Sequence, residues 1–167
     1  MFYISKVGLK GTNGDSVIEL TKGLNIVYGS SNSGKSIVVE CIDYAFGDKE
    51  TNIELEGYDT VYVVASHPQG DVMFSRKIGE GNVTISGNNP LVVPGSYSIK
   101  KNKKEEVPFV DDFLLKLMDM QPRKDIVVSK NWAKKNFTFR TCLNAFLIKQ
   151  ENIIRRDTQY LKCFRTN

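Results

Sequence analysis

The sequence predicts an α/β protein of the P-loop NTPase class with an added antiparallel β-subdomain. Three observations predict it. The octapeptide Gly29-Ser30-Ser31-Asn32-Ser33-Gly34-Lys35-Ser36 fits GxxxxGK[ST] at every fixed position. A series of β-rich runs follows between Thr60 and Ser86, and stripes of apolar residues at helical spacing lie on either side of that series.

Taken in order, Phe2 to Leu9 reads as a strand and Ser16 to Leu20 as a second, joined by the turn-rich Gly11-Thr12-Asn13-Gly14-Asp15. Leu24-Asn25-Ile26-Val27-Tyr28 is short, mostly apolar and bounded by Gly23 and Gly29, the pattern of a buried strand. After the glycine-serine loop, Ile37, Val38, Cys41, Ile42 and Ala45 form one helical face, and Gly47 ends the helix. Val61 to Val64, Val72 to Phe74 and Val83 to Ile85 are strands of an antiparallel meander over 60–86. Their turns are Pro68-Gln69-Gly70-Asp71 and Gly79-Glu80-Gly81-Asn82. Residues 87–107 read as a loop. Behind Pro108, the stripe Phe109, Val110, Phe113, Leu114, Leu117 and Met118 predicts a helix ending before Pro122. A third helix is predicted from Phe139 to about Ile148, with Thr138 as N-cap.

The chain has 167 residues, enough for one domain with a core of its own, and its 41% hydrophobic and 25% charged content is ordinary for a globular protein. No apolar run reaches the roughly 20 residues of a membrane-spanning helix. The opening MFYISKVGLK alternates polar and apolar residues and lacks the apolar core of a secretory signal, which points to the cytosol. Cys41, Cys142 and Cys163 are odd in number and widely spaced, a pattern of reduced thiols rather than of a zinc cage or disulfide framework.

Charge is unevenly spread. Residues 1–99 carry 7 Lys/Arg against 11 Asp/Glu, a net of −4, and residues 100–167 carry 16 against 8, a net of +8. The basic second part, with Lys100, Lys101, Lys103, Lys104 and Arg155-Arg156, suits phosphate contacts with nucleic acid as well as it suits a plain solvated face.

The phosphate chemistry is carried by the loop. Its backbone N–H groups form an anion nest around a β-phosphate, and Gly34 leaves room for close approach. Lys35 reaches the β- and γ-phosphates, the Ser36 hydroxyl ligates magnesium, and the helix that follows points its positive end at the site. Gly29, Ser30, Ser31, Asn32, Ser33, Gly34, Lys35, Ser36 and Ile37 are therefore the candidate ligands of ATP with Mg2+, and Asn32 tolerates the positive φ that glycine often supplies there. GTP is not excluded, because the loop does not read the base. His67, the single histidine, sits beside Pro68 and reads as a surface residue. Trp132 between Lys130 and Lys134-Lys135 reads as an anchor for the preceding loop before a nucleic-acid stacking contact.

The strand pair, the run Thr21-Lys22-Gly23-Leu24-Asn25-Ile26-Val27-Tyr28-Gly29 and the meander together resemble the amino-terminal half of the ATPase heads of the SMC and RecN-type family, within the ABC-ATPase class. The resemblance covers residues 1 to about 155 and implies an ABC-ATPase-like head lobe. It implies that Gln150, after Phe139 to Lys149, is the glutamine of a Q-loop, near the magnesium and the attacking water. Residues 156–167 would begin a coiled coil. Some family members place an arginine of the β-subdomain near nucleotide or DNA, and Arg76 lies in that region.

The departures are informative. The family usually has Asn-Gly where this chain has Ser31-Asn32. No four apolar residues precede an Asp-Glu as in a Walker B strand, and there is no LSGG-like signature. In the family both belong to the carboxy-terminal half of the head, on the same or another chain. The expectation is an amino-terminal portion of a longer protein, whose heads dimerise around ATP and pass the motion to DNA in repair, chromosome organisation or anti-phage defence. Alone it would hydrolyse little. The rival expectations are a small self-contained P-loop kinase or NTPase, and an interaction module in which nucleotide is only a structural ligand.

Overall fold

A computed structural model describes residues 1–12, 14–31, 33–48, 56–100, 107–121, 126–127, 134–135 and 137–146. The elements run β1 (Tyr3–Gly11), β2 (Ser16–Glu19), α1 (Lys35–Ala45), β3 (Tyr58–His67), β4 (Gly70–Lys77), β5 (Asn82–Gly87), β6 (Gly95–Ser98), α2 (Val110–Leu117), β7 (Ile126–Val127), β8 (Lys134–Lys135) and α3 (Phe139–Phe146).

The amino-terminal strand pair and the meander are one sheet, because β1 pairs with β3. Six antiparallel strands lie in the order β2-β1-β3-β4-β5-β6. Val7 faces Val63, Val63 faces Phe74 and Phe74 faces Ile85, so a single register row runs across four strands. Alternation does the rest: Val61, Val63 and Ala65 of β3 are fully buried, and so are Val72 and Phe74 of β4 and Val83 and Ile85 of β5. That face is covered by α1, which crosses β3 and touches β1 and β4, and by α2, whose Val110, Phe113, Leu114 and Leu117 are buried. Edge-to-face rings tie the layers together, Phe46 with Phe74 at 5.1 Å, Phe74 with Phe113 at 6.0 Å and Tyr97 with Phe113 at 5.6 Å.

Two expectations are corrected. The 87–107 stretch contains β6, which the reading as loop missed: Gly95-Ser96-Tyr97-Ser98 has only one large apolar side chain, and Tyr97 buries it against Phe113. The run Leu24 to Tyr28 is not a buried strand. It has no regular secondary structure, and Leu24, Ile26 and Tyr28 are 87%, 74% and 90% exposed. A strand exists only beside another, and among the described residues none lies next to this run. On α1, Ile37 and Ile42 are only partly buried, whereas Tyr44 is almost fully enclosed. The helix ends as predicted, Gly47 following it at φ 100°. Thr138 caps α3, its hydroxyl accepting from the Thr141 N–H at 3.2 Å. The expected coiled-coil start at 156–167 lies outside the described residues, as do Trp132 and most of the basic cluster from Lys100.

Candidate functional site

Helix α1 begins where a left-handed glycine lets it. Gly34 is the N-cap at φ 78° and ψ 12°, a conformation that would cost a side-chain-bearing residue about 1–2 kcal/mol. Its carbonyl accepts from the Ile37 N–H at 3.0 Å. No side chain caps this end, and the first turn contains no acidic residue. The free N–H groups and the positive end of the helix dipole therefore remain available to an anion.

Lys35 folds back over the loop. Its ammonium donates to the Gly29 carbonyl at 3.1 Å, to the Ser30 carbonyl, and to the Ser33 hydroxyl at 3.2 Å. The loop closes tightly, since a Cβ at Gly29 would stand 2.7 Å from Ser33 Oγ. A cavity of about 580 Å³ opens there, lined from Ser31 and Ser33 through Ile37 and, one turn further, Glu40. Its size is within the range of small-molecule sites.

These residues fit a magnesium-bound nucleoside triphosphate. The cavity offers hydroxyls, an ammonium and helix N–H groups, all suited to phosphate oxygens. Among the described residues no three His, Cys, Asp or Glu gather as a metal cluster. A magnesium ion held here would take the Ser36 hydroxyl as a protein ligand beside the phosphate oxygens. The structure brings together Gly29, Ser30, Ser31, Ser33, Gly34, Lys35, Ser36 and Ile37; Asn32 and Gln150 lie outside the described residues. Glu40 was missed by the sequence reading, although its i, i+4 spacing from Ser36 places both on one helix face.

The opposite end of α1 is built from groups that sequence reasoning did not pair. Arg76, from β4 of the β-subdomain, is buried at the carboxy-terminal end of α1. It donates to the carbonyls of Tyr44 at 2.9 Å, Asp48 at 2.6 Å and Glu80 at 2.8 Å, and stacks 3.8 Å over the Tyr44 ring. Burial holds its pKa below the usual arginine value. From α3, Arg140 donates to Asp43 Oδ1 at 2.8 Å. Burial raises the Asp43 carboxyl above its ordinary value, with Arg140 pulling it the other way. Asp111 of α2 accepts from the backbone N–H of Arg140 at 3.3 Å, and its carboxyl too is raised by burial against that opposing bond. Cys41, on the buried face of α1, has its thiol pushed up to about 11 by burial, which keeps it protonated and inert at neutral pH. His67 is the half-exposed last residue of β3, and its Nδ1 accepts from the Gln69 N–H of the turn at 3.2 Å.

A glycine-bounded loop with its lysine folded inward, opening a helix that packs on an antiparallel sheet, places this chain among proteins that carry a P-loop sequence. The family model described as an AAA domain matches residues 8–159, and the chain belongs to that family, which is found in SMC- and RecN-like ATPases. It is an AAA-type ATPase domain, of a family that generally binds nucleotide with magnesium. No curated protein matches the chain. Among the described residues no helix is long and apolar enough to cross a membrane.

Proposed function

We propose that this chain is the ATP-binding amino-terminal lobe of an SMC-like, ABC-class ATPase head, which couples ATP-driven engagement of two heads to work on DNA. The observation that carries the reading is the apolar run Leu24 to Tyr28. It leads directly into the phosphate loop and exposes Leu24, Ile26 and Tyr28 with no strand beside it among the described residues. A run of that composition beside a phosphate loop is suited to the centre of a sheet. Its missing neighbours are best supplied by a carboxy-terminal half of the head, on the same or another chain, which would also bring the Walker B carboxylate and the signature. Residues 1–155 would be the lobe and 156–167 the start of the coiled coil. The net charge of +8 over 100–167 supports contact with DNA.

The chain's own residues divide the work. Backbone N–H groups of the loop and of the first turn of α1 hold the β-phosphate. Lys35, released from the Gly29 and Ser30 carbonyls, turns its charge to the β- and γ-phosphates. Ser36 gives its hydroxyl to the magnesium, and Gln150 orients the attacking water. A magnesium ion held by Ser36 would supply charge neutralisation for the transferred phosphoryl group. The test is Mg-ATP binding and turnover by the full chain, with Lys35→Ala beside it. Binding weakened at least about tenfold in Lys35→Ala, with negligible turnover by the chain alone, is the expected result. Rapid turnover by the chain alone would instead identify a self-contained P-loop kinase or NTPase, and absence of nucleotide binding would remove the reading altogether.

A further inference from the structure

Helix α1 has eleven residues and spans about 16 Å, with the phosphate cradle at one end and a set of tertiary anchors at the other. A helix of this length moves as a rod, so a shift of the cradle end displaces the last turn as well. That last turn is one of two places where α3 attaches, the other being α2, whose Asp111 accepts from the Arg140 N–H at 3.3 Å. Arg140 Nη1 donates to Asp43 Oδ1 at 2.8 Å and lies 3.5 Å from Oδ1 of Asp48, while Nη2 reaches the Asp43 carbonyl at 3.4 Å. The Asp43 side chain is 12% exposed and that of Arg140 33%, so water screens the pair only from one side. Next to it, the Phe46 and Phe139 rings meet edge to face at 5.5 Å. The aromatic contact supplies attraction without direction. The charged fork, bound to a carboxylate, a carbonyl and a second carboxylate, fixes the angle at which α3 leaves α1.

We propose that Arg140 is the positioning residue through which occupancy of the phosphate cradle is transmitted to α3. The proposal rests on the reading of the cradle as a nucleoside triphosphate site. It adds that the fork of Arg140 on Asp43 and Asp48 makes α1 and α3 move together. Arg76 joins the same helix end to β4 and the sheet.

Hydrogen exchange followed by mass spectrometry tests this on the full chain, with and without Mg-ATP, in the unaltered protein and in Arg140→Gln, Arg140→Lys, Asp43→Asn and Lys35→Ala. In the unaltered protein, Mg-ATP is expected to slow exchange about threefold or more both in the loop at 29–36 and in α3. Arg140→Gln and Asp43→Asn should keep the loop response and lose that of α3, and Arg140→Lys should retain part of it. The exchange pattern of β3 and β4 without nucleotide shows whether each variant is folded; Asp43→Asn, close in shape, serves if Arg140→Gln is not. An α3 response that survives in the folded variants, or its absence in the unaltered protein while the loop responds, overturns the proposal. A loop that does not respond in the unaltered protein removes the nucleotide reading and this one with it, and that result is distinct from the other two.

Discussion

Arg76 is surrounded by carbonyl oxygens where a buried guanidinium would ordinarily be met by a carboxylate. Three acceptors, Tyr44, Asp48 and Glu80, are satisfied by one side chain that comes from the sheet. Helix α1 has no basic residue in its last turn, so its negative end is neutralised from outside the helix. Arg76→Met should keep the volume and strand those carbonyls. With each charge-assisted bond contributing about 1.5–3 kcal/mol gross and the burial of the charge costing part of it, a net loss of about 2–4 kcal/mol is expected. Urea unfolding monitored by circular dichroism measures it. A loss under about 1 kcal/mol would mean that water replaces the guanidinium at all three oxygens.

The end of α1 shows how an element is specified twice over. Locally, Gly47 takes φ 100°, and the Phe46 and Gly47 N–H groups turn back to the carbonyls of Ile42 and Tyr44, both at 3.1 Å. Tertiary packing adds a second constraint, since a Cβ at Gly47 would stand 3.1 Å from Val110 Cγ1 of α2. Gly47→Ala is thus strained in backbone and in space. It should cost about 1–2 kcal/mol for the left-handed conformation alone and lower Tm by about 2–8 °C, read by differential scanning calorimetry. A Tm unchanged within error would show that the helix end relaxes out of the left-handed region.

At the scale of the molecule the sheet has one well-covered face, and among the described residues the apolar run Leu24 to Tyr28 is exposed and packs on no layer. Burying each of its large side chains against a partner strand would contribute roughly 1.5–3 kcal/mol, which is a strong drive to associate. Replacing Leu24, Ile26 and Tyr28 together by serine should lower binding of an apolar dye about twofold and reduce self-association in light scattering. The six-stranded sheet should be unaffected in far-ultraviolet circular dichroism. Equal dye binding by the two proteins would place the exposed apolar surface elsewhere.

The sequence by itself determined the local elements and the cradle. GxxxxGKS specifies a left-handed Gly34, a lysine within reach of the loop carbonyls and an uncapped helix start, all within eight residues of chain. Alternation made the meander readable, and helical spacing did the same for α1, α2 and α3, because period and burial are properties of short segments. Only the tertiary structure decided that β1 joins β3 to make one sheet, that Tyr97 anchors a further strand, and that the Leu24 to Tyr28 run lacks a neighbouring strand among the described residues. It also decided the partners of Asp43, Arg76, Asp111 and Arg140, two of them separated by 97 positions in the chain. A charged residue within an apolar pattern signals that some partner is buried with it, but the partner's identity depends on how helices cross the sheet. That crossing is set by packing among distant side chains, which no local period records.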